Sequence, residues 1–228
     1  MNANSAFTNI ESSSGLTGRL LRNEKLEKYT SWRVGGSADH MYFPDGKEDL
    51  LKFLRNLPER EPVVWIGLGS NLLVRDGGIR GTVINTRGCL KEICVAGNGS
   101  VYVEAGLPCA RVARFCCDNG LVGAEFLAGI PGTMGGALKM NAGAFGGDTW
   151  DIVETVDVVD AQGHCRTRQA DDFEAGYRSV KGLFDEWFIA ANVRLIKGDS
   201  GKSLNKVKDL LAKRSQTQPV NQPSCGSV

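Results

Sequence analysis

The feature that most constrains this chain is a glycine-dense segment from Gly129 to Gly147, which reads GIPGTMGGALKMNAGAFGG. Seven of the 29 glycines in the 228-residue chain lie there, mixed with large apolar residues such as Ile130, Met134 and Phe145. Glycine loses more backbone entropy on folding than any other residue, so this density indicates a specific use. One use is to let main-chain N–H groups converge on an anionic ligand such as a phosphate-bearing cofactor. A series of tight turns is the alternative.

A second glycine site lies upstream, in the sequence WIGLGSNLL at residues 65–73. Residues 63–66 are apolar or β-branched and predict a buried strand. A loop of small residues follows at once: Gly67, Gly69, Ser70 and Asn71. The G-x-G-x-x-G fingerprint is absent because Leu72 occupies its last position, and no Gly-Lys-Ser/Thr of a P-loop follows. The two glycine sites therefore predict a nucleotide cofactor that is not held in a Rossmann cradle.

Composition indicates which classes of binding partner to expect. Lys and Arg number 27 against 26 Asp and Glu, a net charge of +1, and no basic patch is interleaved with aromatic residues, so nucleic-acid binding is not expected. Seven cysteines without a C-x-x-C pair argue against a disulfide framework or a metal site, and most of them are predicted to be buried apolar residues. The first 30 residues lack a signal-peptide core, and no apolar run approaches the ~20 residues that cross a bilayer. We expect a soluble, cytoplasmic protein with no membrane insertion, and the sequence does not indicate an oligomeric state.

Apolar spacing predicts an α+β chain with two small lobes and the cofactor between them. The expected division is a lead-in at 1–28 with a short helix near Leu20 to Leu26, a first lobe at 29–88, a second lobe at 89–200, and a further domain beginning at 201–228. Strands are expected at 38–43, 63–66, 81–86, 91–95, 101–104, 153–160, 165–168 and 187–196. Helices are expected at 48–57, 110–117 and 203–214, the last with Ser203 at its start.

Five motifs in this order resemble the bacterial UDP-N-acetylenolpyruvoylglucosamine reductase family, also called UDP-N-acetylmuramate dehydrogenase. They are TSWRVGG at 30–36, GLGSN at 67–71, the glycine-dense segment, GYRS at 176–179 and SCGSV at 224–228. The resemblance implies a two-lobed FAD-binding fold of the vanillyl-alcohol oxidase (PCMH) type. It also implies a flavoenzyme that uses NADPH to convert UDP-N-acetylglucosamine enolpyruvate, a UDP-sugar enolpyruvyl ether, into the peptidoglycan precursor UDP-N-acetylmuramate.

The resemblance assigns cofactor-binding residues in all three N-terminal motifs. The FAD pyrophosphate is expected at Gly67, Gly69, Ser70 and Asn71, and the flavin and remaining phosphate at Gly129, Ile130, Gly132, Gly135 and Gly136. Asn141 and Gly143 are expected beside the ring system, and Arg33, Gly35 and Gly36 in the same wall. A surface ion pair for Arg33 and a left-handed turn position for Asn71 are the alternatives.

The chemistry implied by the family needs a cation and an acid. Hydride addition to the enolpyruvyl ether leaves negative charge beside the substrate carboxylate, as an enolate that must be stabilised and then protonated. The resemblance assigns the cation to Arg178 and the proton donor to Ser227. It places Tyr177, Arg214 and Gln218 at the substrate, with core packing for Tyr177 and a basic helix end for the other two as alternatives.

The family pattern continues beyond the Gly-Ser motif into a substrate-binding domain and a late catalytic glutamate, whereas this chain stops at Val228. We therefore expect a fragment or a truncated gene product that binds FAD but turns over poorly. Two other functions stay open. One is a non-catalytic FAD-binding remnant, and the other is a flavin oxidase of the same superfamily. The oxidase is the less favoured because neither His40 nor His164 lies in a glycine loop where it could attach a flavin covalently.

Overall fold

Two β-sheets carry the fold, and a computed structural model describes them over residues 15–97 and 99–218. The strands in chain order are β1 (Arg19–Lys25), β2 (Ser37–Phe43), β3 (Val63–Ile66), β4 (Ile79–Asn85), β5 (Ile93–Gly97), β6 (Ser100–Glu104), β7 (Leu121–Val122), β8 (Gly143–Ala144), β9 (Gly147–Asp148), β10 (Val153–Asp160), β11 (Cys165–Gln169), β12 (Glu174–Gly176), β13 (Ser179–Lys181), β14 (Glu186–Arg194) and β15 (Ile196–Lys197). The helices are α1 (Lys47–Asn56), α2 (Cys109–Asp118), α3 (Met134–Met140) and α4 (Ser200–Thr217). Short 3₁₀ helices lie at Leu26–Tyr29, Glu125–Gly129, Thr149–Asp151 and Ala170–Asp172.

The first sheet has the order β1-β2-β4-β3. Strand β1 is antiparallel to β2, whereas β2, β4 and β3 run parallel, with α1 between β2 and β3 in the chain. Parallel neighbours place the carboxyl ends of β3 and β4 at the same edge of the sheet. The Gly67 loop and the Thr86 segment both leave the sheet at that edge.

The second sheet has the order β11-β10-β14-β6-β5 and is antiparallel throughout. One of its faces covers a large apolar core that includes Val101, Val156 and Ala191, each fully buried. Helices α2 and α3 contribute Val112 and Leu138 to the same core. The glycine-dense segment is therefore part of this lobe, because α3 lies within the segment and packs in the core.

A second apolar cluster joins the two sheets. It combines Tyr42 and Ile84 of the first sheet and Phe53 of α1 with Val159 and Ile189 of the second sheet. The rings of Tyr42 and Phe53 stack with centroids 3.7 Å apart. The lobes consequently share a core, and the boundaries proposed for them at 88/89 and 200/201 stay a prediction.

The predicted helix near Leu20 to Leu26 is wrong, because residues 19–25 form β1 on the edge of the first sheet. Leu20 packs in the cluster between the sheets and Leu21 in the cluster on the opposite face. Neighbouring residues on opposite faces are the mark of a strand. Residues of the expected lead-in thus belong to the first sheet.

Two expectations at the C-terminal side also need correction. Helix α4 begins at Ser200 with Asp199 as its N-cap, whose side chain accepts from the Lys202 amide at 3.0 Å, so Ser203 is not the capping residue. The strand expected at 187–196 is divided, because β14 ends at Arg194 and Ile196 pairs instead with Val122. The other predicted strands and helices are present within a few residues of their expected bounds.

Burial of the cysteines agrees with expectation for Cys89, Cys109, Cys116 and Cys117, whereas Cys94 and Cys165 are exposed, and all six are free thiols. In the part of the chain that the structure describes, no helix has the length and apolarity to cross a membrane.

Candidate cofactor and substrate cleft

The two glycine sites meet between the lobes. The Gly67 loop follows β3, and the Gly132 turn precedes α3. A Cβ atom at Gly67 would collide with the hydroxyl of Thr133, and one at Gly132 would stand 3.3 Å from Oγ of Ser70. The lack of side chains at Gly67 and Gly132 therefore lets the loop and the turn approach each other across the cleft.

Unpaired donors line this approach. Within residues 15–97 and 99–218, the amides of Gly67, Leu68, Gly69, Ser70 and Asn71 donate to no protein acceptor. The Gly132 and Gly136 amides and the hydroxyls of Ser70 and Thr133 likewise have no acceptor among these residues. Five successive N–H groups without a protein acceptor, in a half-buried loop, are available to an acceptor-rich ligand. The diphosphate of FAD fits that donor set.

Other predicted glycines are needed for internal packing. A Cβ atom would collide with the Asp76 carbonyl at Gly36, with the Phe145 ring at Gly129 and with the Asp148 carboxylate at Gly143. At Gly135 it would lie 2.9 Å from Cβ of Ala105, and at Gly35 2.8 Å from Cβ of Val74. The structure explains why these positions are glycine without a ligand, and their contact with a cofactor stays a proposal.

The segment from Thr30 to Gly36 braces the first glycine loop. The Ser31 amide donates to the Gly69 carbonyl at 3.0 Å, and the Gly36 amide donates to the Arg75 carbonyl at 3.1 Å. Arg33 is exposed and has a positive φ of 55°. Its guanidinium has no ion pair with a described carboxylate, so the surface-pair alternative finds no support in this part of the chain.

A small cavity of about 80 Å³ lies beside this loop. Lys28, Ser31, Asn85 and Arg87 line it together with Gly67. Lys28, Asn85 and Arg87 belong to none of the predicted motifs. The signal that points to Asn85 and Arg87 is topological. Ligands of parallel sheets bind outside the carboxyl ends of the strands, and Asn85 ends β4 while Arg87 follows it.

The hairpin of β12 and β13 brings Arg178 to the same cleft. Its tip is the two-residue turn Tyr177-Arg178. Nη2 of Arg178 donates to Oδ1 of Asn71 at 2.5 Å, and Nδ2 of Asn141 donates to the Gly176 carbonyl at 3.3 Å. Tyr177 is 92% exposed, so it is not a core residue. The predicted residues Asn71, Asn141, Tyr177 and Arg178 therefore gather at one mouth of the cleft.

The remaining predicted substrate residues are placed elsewhere. Arg214 and Gln218 lie at the C-terminal end of α4, where Nε of Arg214 donates to Oε1 of Gln218 at 3.2 Å. Within the described ranges, no hydrogen bond or ion pair joins them to the glycine loops. Ser227 lies outside the described residues.

The glycine-dense segment is anchored at its entrance by Glu125. This carboxylate, only 4% exposed, accepts from Oγ of Ser203 at 2.6 Å, from the Gly123 amide at 3.1 Å and from Nζ of Lys206 at 3.4 Å. Burial alone would raise the pKa of Glu125, but these hydrogen bonds and the Lys206 charge outweigh it and hold that pKa below its usual value. The network fixes α4 onto the 3₁₀ helix that leads into Ile130.

A larger cavity of about 820 Å³ opens between the end of α1 and the β10–β11 turn. Its lining includes Arg55, Arg60, His164, Phe184 and Trp187. None of the predicted site residues lines it. We assign the functional site to the smaller cleft, because the unpaired main-chain donors lie there.

Comparison with known proteins identifies related families and structures. The model of a family described as an FAD binding domain matches residues 38–168. The UDP-N-acetylenolpyruvoylglucosamine reductase of Methylococcus capsulatus is 56% identical over 211 residues, which cover 92% of this chain and 69% of that protein. The protein of the same name from Legionella pneumophila is 53% identical over 225 residues, covering 98% of this chain and 73% of the relative.

Solved structures give the fold. UDP-N-acetylenolpyruvylglucosamine reductase (MurB) from Thermus caldophilus superposes with a TM-score of 0.76 at 26% identity, covering 92% of this chain and 73% of that one. Berberine bridge enzyme from Eschscholzia californica superposes with a TM-score of 0.60 at 15% identity, covering 87% and 44%. The second likeness speaks for the fold alone. Together with the FAD-binding family match and the MurB structure, it confirms the predicted α+β architecture of the vanillyl-alcohol oxidase type.

The cleft offers donors that suit the FAD diphosphate, and the matches extend over both lobes. The chain belongs to the UDP-N-acetylenolpyruvoylglucosamine reductase family of FAD-dependent oxidoreductases.

Proposed function

We propose that this chain reduces UDP-N-acetylglucosamine enolpyruvate to UDP-N-acetylmuramate with NADPH as the hydride donor. The step belongs to peptidoglycan precursor synthesis, and through it to cell shape and cell division, and we place it in the bacterial cytoplasm. The observation that carries the proposal is the contact of Arg178 with Asn71 at 2.5 Å, which sets a cation beside the loop of free amides. The names of the relatives support the same reaction.

The cofactor is held chiefly by the main chain in this proposal. The amides of Gly67, Gly69, Ser70 and Asn71 bind the diphosphate, with the hydroxyl of Thr133 opposite them. The flavin side is bounded by Gly129, Ile130, Gly132, Gly135, Gly136, Asn141 and Gly143, and the outer wall by Arg33, Gly35 and Gly36. Bound FAD supplies hydride transfer between NADPH and the substrate.

Arg178 provides the positive charge that the reaction needs. Its side chain is exposed, and no carboxylate of residues 15–97 or 99–218 lies within ion-pair distance of it. Its full charge can therefore meet the substrate carboxylate and the enolate that develops beside it, with the bidentate geometry that a guanidinium favours. Tyr177 projects from the same turn and is proposed to contact the substrate, as are Arg214 and Gln218 through the uridine diphosphate.

Ser227 is proposed to protonate the carbon next to the enolate. A serine hydroxyl is a weak acid, so this step depends on close geometry and a polarising partner. The role comes from the match of Gly226-Ser227 to the family motif. Replacement by alanine would test it.

The test is FAD titration of the purified chain, followed by NADPH oxidation with the enolpyruvyl substrate. We expect a yellow complex with one FAD per chain and a fall in kcat/KM of about 10²-fold for Arg178→Ala, the cost typical of losing one electrostatic stabiliser. FAD affinity should not change in that variant. Arg114→Ala, which removes an exposed cation paired with Asp118 on α2, is the matched control. A colourless preparation, or equal turnover with and without Arg178, would contradict the proposal.

A further inference from the structure

The turn that carries Arg178 needs outside support. Arg178 has a positive φ of 51°, a left-handed conformation that is strained for a residue with a side chain. The hairpin has only three residues in each strand, and an isolated hairpin of that size is marginally stable. Its base is held by Phe173 and Val180, each 9% exposed in the core of the second lobe. Its tip depends on two asparagines.

Asn141 supports the hairpin from below. It caps the C-terminus of α3 in the left-handed conformation with φ 40°. Its Oδ1 accepts from the Trp150 amide at 3.1 Å while its Nδ2 donates to the Gly176 carbonyl at 3.3 Å. Both ends of the side-chain amide are used, so a carboxylate could replace only the acceptor half of this arrangement.

Asn71 supports the guanidinium from the opposite lobe. Its Oδ1 is the only described hydrogen-bond partner of the Arg178 side chain, at 2.5 Å. An amide oxygen orients a guanidinium without cancelling its charge, whereas a carboxylate at the same place would form an ion pair. The neutral acceptor leaves the positive charge for an incoming carboxylate.

We infer that Asn71 and Asn141 are positioning residues for Arg178, with Asn141 fixing the hairpin and Asn71 fixing the guanidinium. The inference rests on the proposed role of Arg178 at the substrate carboxylate. Asn71 is also the last residue in the run of free amides, so the orientation of Arg178 is tied to the loop that receives the cofactor.

The first experiment measures the hairpin itself, in the FAD-free chain, by hydrogen exchange of the amides of residues 174–181. Loss of one net hydrogen bond corresponds to about a 2- to 10-fold rise in exchange. We expect such a rise in Asn71→Ala, Arg178→Ala and Asn141→Asp. The double variant of Asn71 and Arg178 should exchange no faster than either single variant, because both remove the same contact. Asn141→Gly allows the left-handed backbone and removes the side chain, so it should also raise exchange. It provides the same test if Asn141→Asp fails to fold.

The second experiment measures substrate binding at saturating FAD, through the change in flavin absorbance. Asn71→Asp should strengthen the contact with Arg178. It should nevertheless raise the dissociation constant of the enolpyruvyl substrate by about tenfold, because the ion pair competes with the substrate carboxylate. High salt should recover part of the loss. Asn56→Asp, the same change on the exposed end of α1, should leave substrate binding unaltered.

The outcomes separate the two claims. Faster hairpin exchange with tenfold weaker substrate binding supports the inference. Unchanged exchange in all the asparagine variants overturns it, whatever the effect of Arg178→Ala on turnover. If exchange is faster in the variants of the first experiment but Asn71→Asp binds substrate with unchanged affinity, the functional part is overturned. That result also counts against the proposed role of Arg178.

Discussion

At the residue scale, the cleft is shaped by positions that leave space and main-chain donors free. Gly67 leaves room for the Thr133 hydroxyl, which the glycine motifs did not point to because a threonine inside such a segment has no distinctive spacing. Asn71 contributes in two ways, with a free amide and with the oxygen that receives Arg178. Small changes at these positions should therefore affect ligand binding as well as folding.

Gly67→Ala should weaken FAD binding. The added methyl group would collide with Thr133 and stand between the loop and the Gly132 turn. We expect the FAD dissociation constant to rise by at least about tenfold, equivalent to ~1.4 kcal/mol, as measured by quenching of flavin fluorescence. Overpacking should also lower the free energy of unfolding by about 1–3 kcal/mol.

Gly77→Ala is the matched control. A Cβ atom at Gly77 meets no atom within 4 Å, and its φ is not in the left-handed region. FAD affinity should stay as in the unaltered chain, and stability should change by less than about 1 kcal/mol. An equal loss of FAD affinity in both variants would argue against a specific role for the Gly67 loop.

The Tyr42–Asp49 hydrogen bond should make stability depend on pH. Asp49 is 7% exposed and accepts from Oη of Tyr42 at 2.6 Å and from the Thr17 amide at 2.8 Å. Burial alone would raise the pKa of Asp49, but these hydrogen bonds outweigh it and hold the pKa below its usual 3.8. Because the folded pKa is the lower one, the stabilisation is present above about pH 4 and is lost as the pH falls further.

Tyr42→Phe tests this sign by urea denaturation. The variant should lose about 1–3 kcal/mol at pH 7, since a buried carboxylate is left short of one donor. The difference from the unaltered chain should shrink as the pH is lowered below 4. Tyr102→Phe, whose hydroxyl makes no hydrogen bond among the described residues, should show a small difference that does not vary with pH.

At the element scale, local pattern sufficed wherever an element is bounded by strong signals. Strand β3 has its expected bounds because four apolar residues stand between Pro62 and Gly67. Strand β10 has them because its alternation ends at the Gln162-Gly163 turn. Strand β1 was missed because adjacent leucines also fit a helix, and only pairing with β2 decides between the two.

Part of the site was predictable from local sequence, and part of it was not. Glycine density identified the two loops that meet between the lobes, since both are continuous in sequence. The cavity lined by Lys28 and Arg87 depends on which strand ends share an edge of the sheet, and this topology is not written in any local segment. The contact of Asn71 with Arg178 spans 107 positions, so only the fold can reveal it.

Helix α4 should depend on its single buried serine. Oγ of Ser203 donates to Glu125 at 2.6 Å and lies 3.1 Å from Sγ of Cys117. Ser203→Ala should lower the free energy of unfolding by about 1–3 kcal/mol, because the buried carboxylate loses a donor. Ser215→Ala, in the exposed last turns of the same helix, should change it by less than about 0.5 kcal/mol. Chemical denaturation measures both, and equal effects would show that the Glu125 anchor is not important.

At the scale of the whole molecule, the two lobes are one folding unit in our interpretation. The cluster around Tyr42 and Phe53 takes residues from both sheets, and Trp65 of β3 stacks on Trp187 of β14 with centroids 5.4 Å apart. The glycine loops also come from both lobes, so a ligand between them touches each. Disturbance of the shared core should therefore reach both sheets and the cleft together.

Phe53→Ala tests this coupling. Phe53 is fully buried on α1, and its truncation should cost about 3–5 kcal/mol. If the shared core couples the lobes, hydrogen exchange should rise by the same factor in β4 of the first sheet and in β14 of the second. In the chain, α1 connects two strands of the first sheet only. FAD at 100 times its dissociation constant should restore about 2.7 kcal/mol in both sheets, because in our proposal it binds where the lobes meet. Phe184→Ala, 79% exposed, should alter neither sheet. A rise confined to β4 would mean that the lobes unfold separately and that the cleft is held together by its ligand alone.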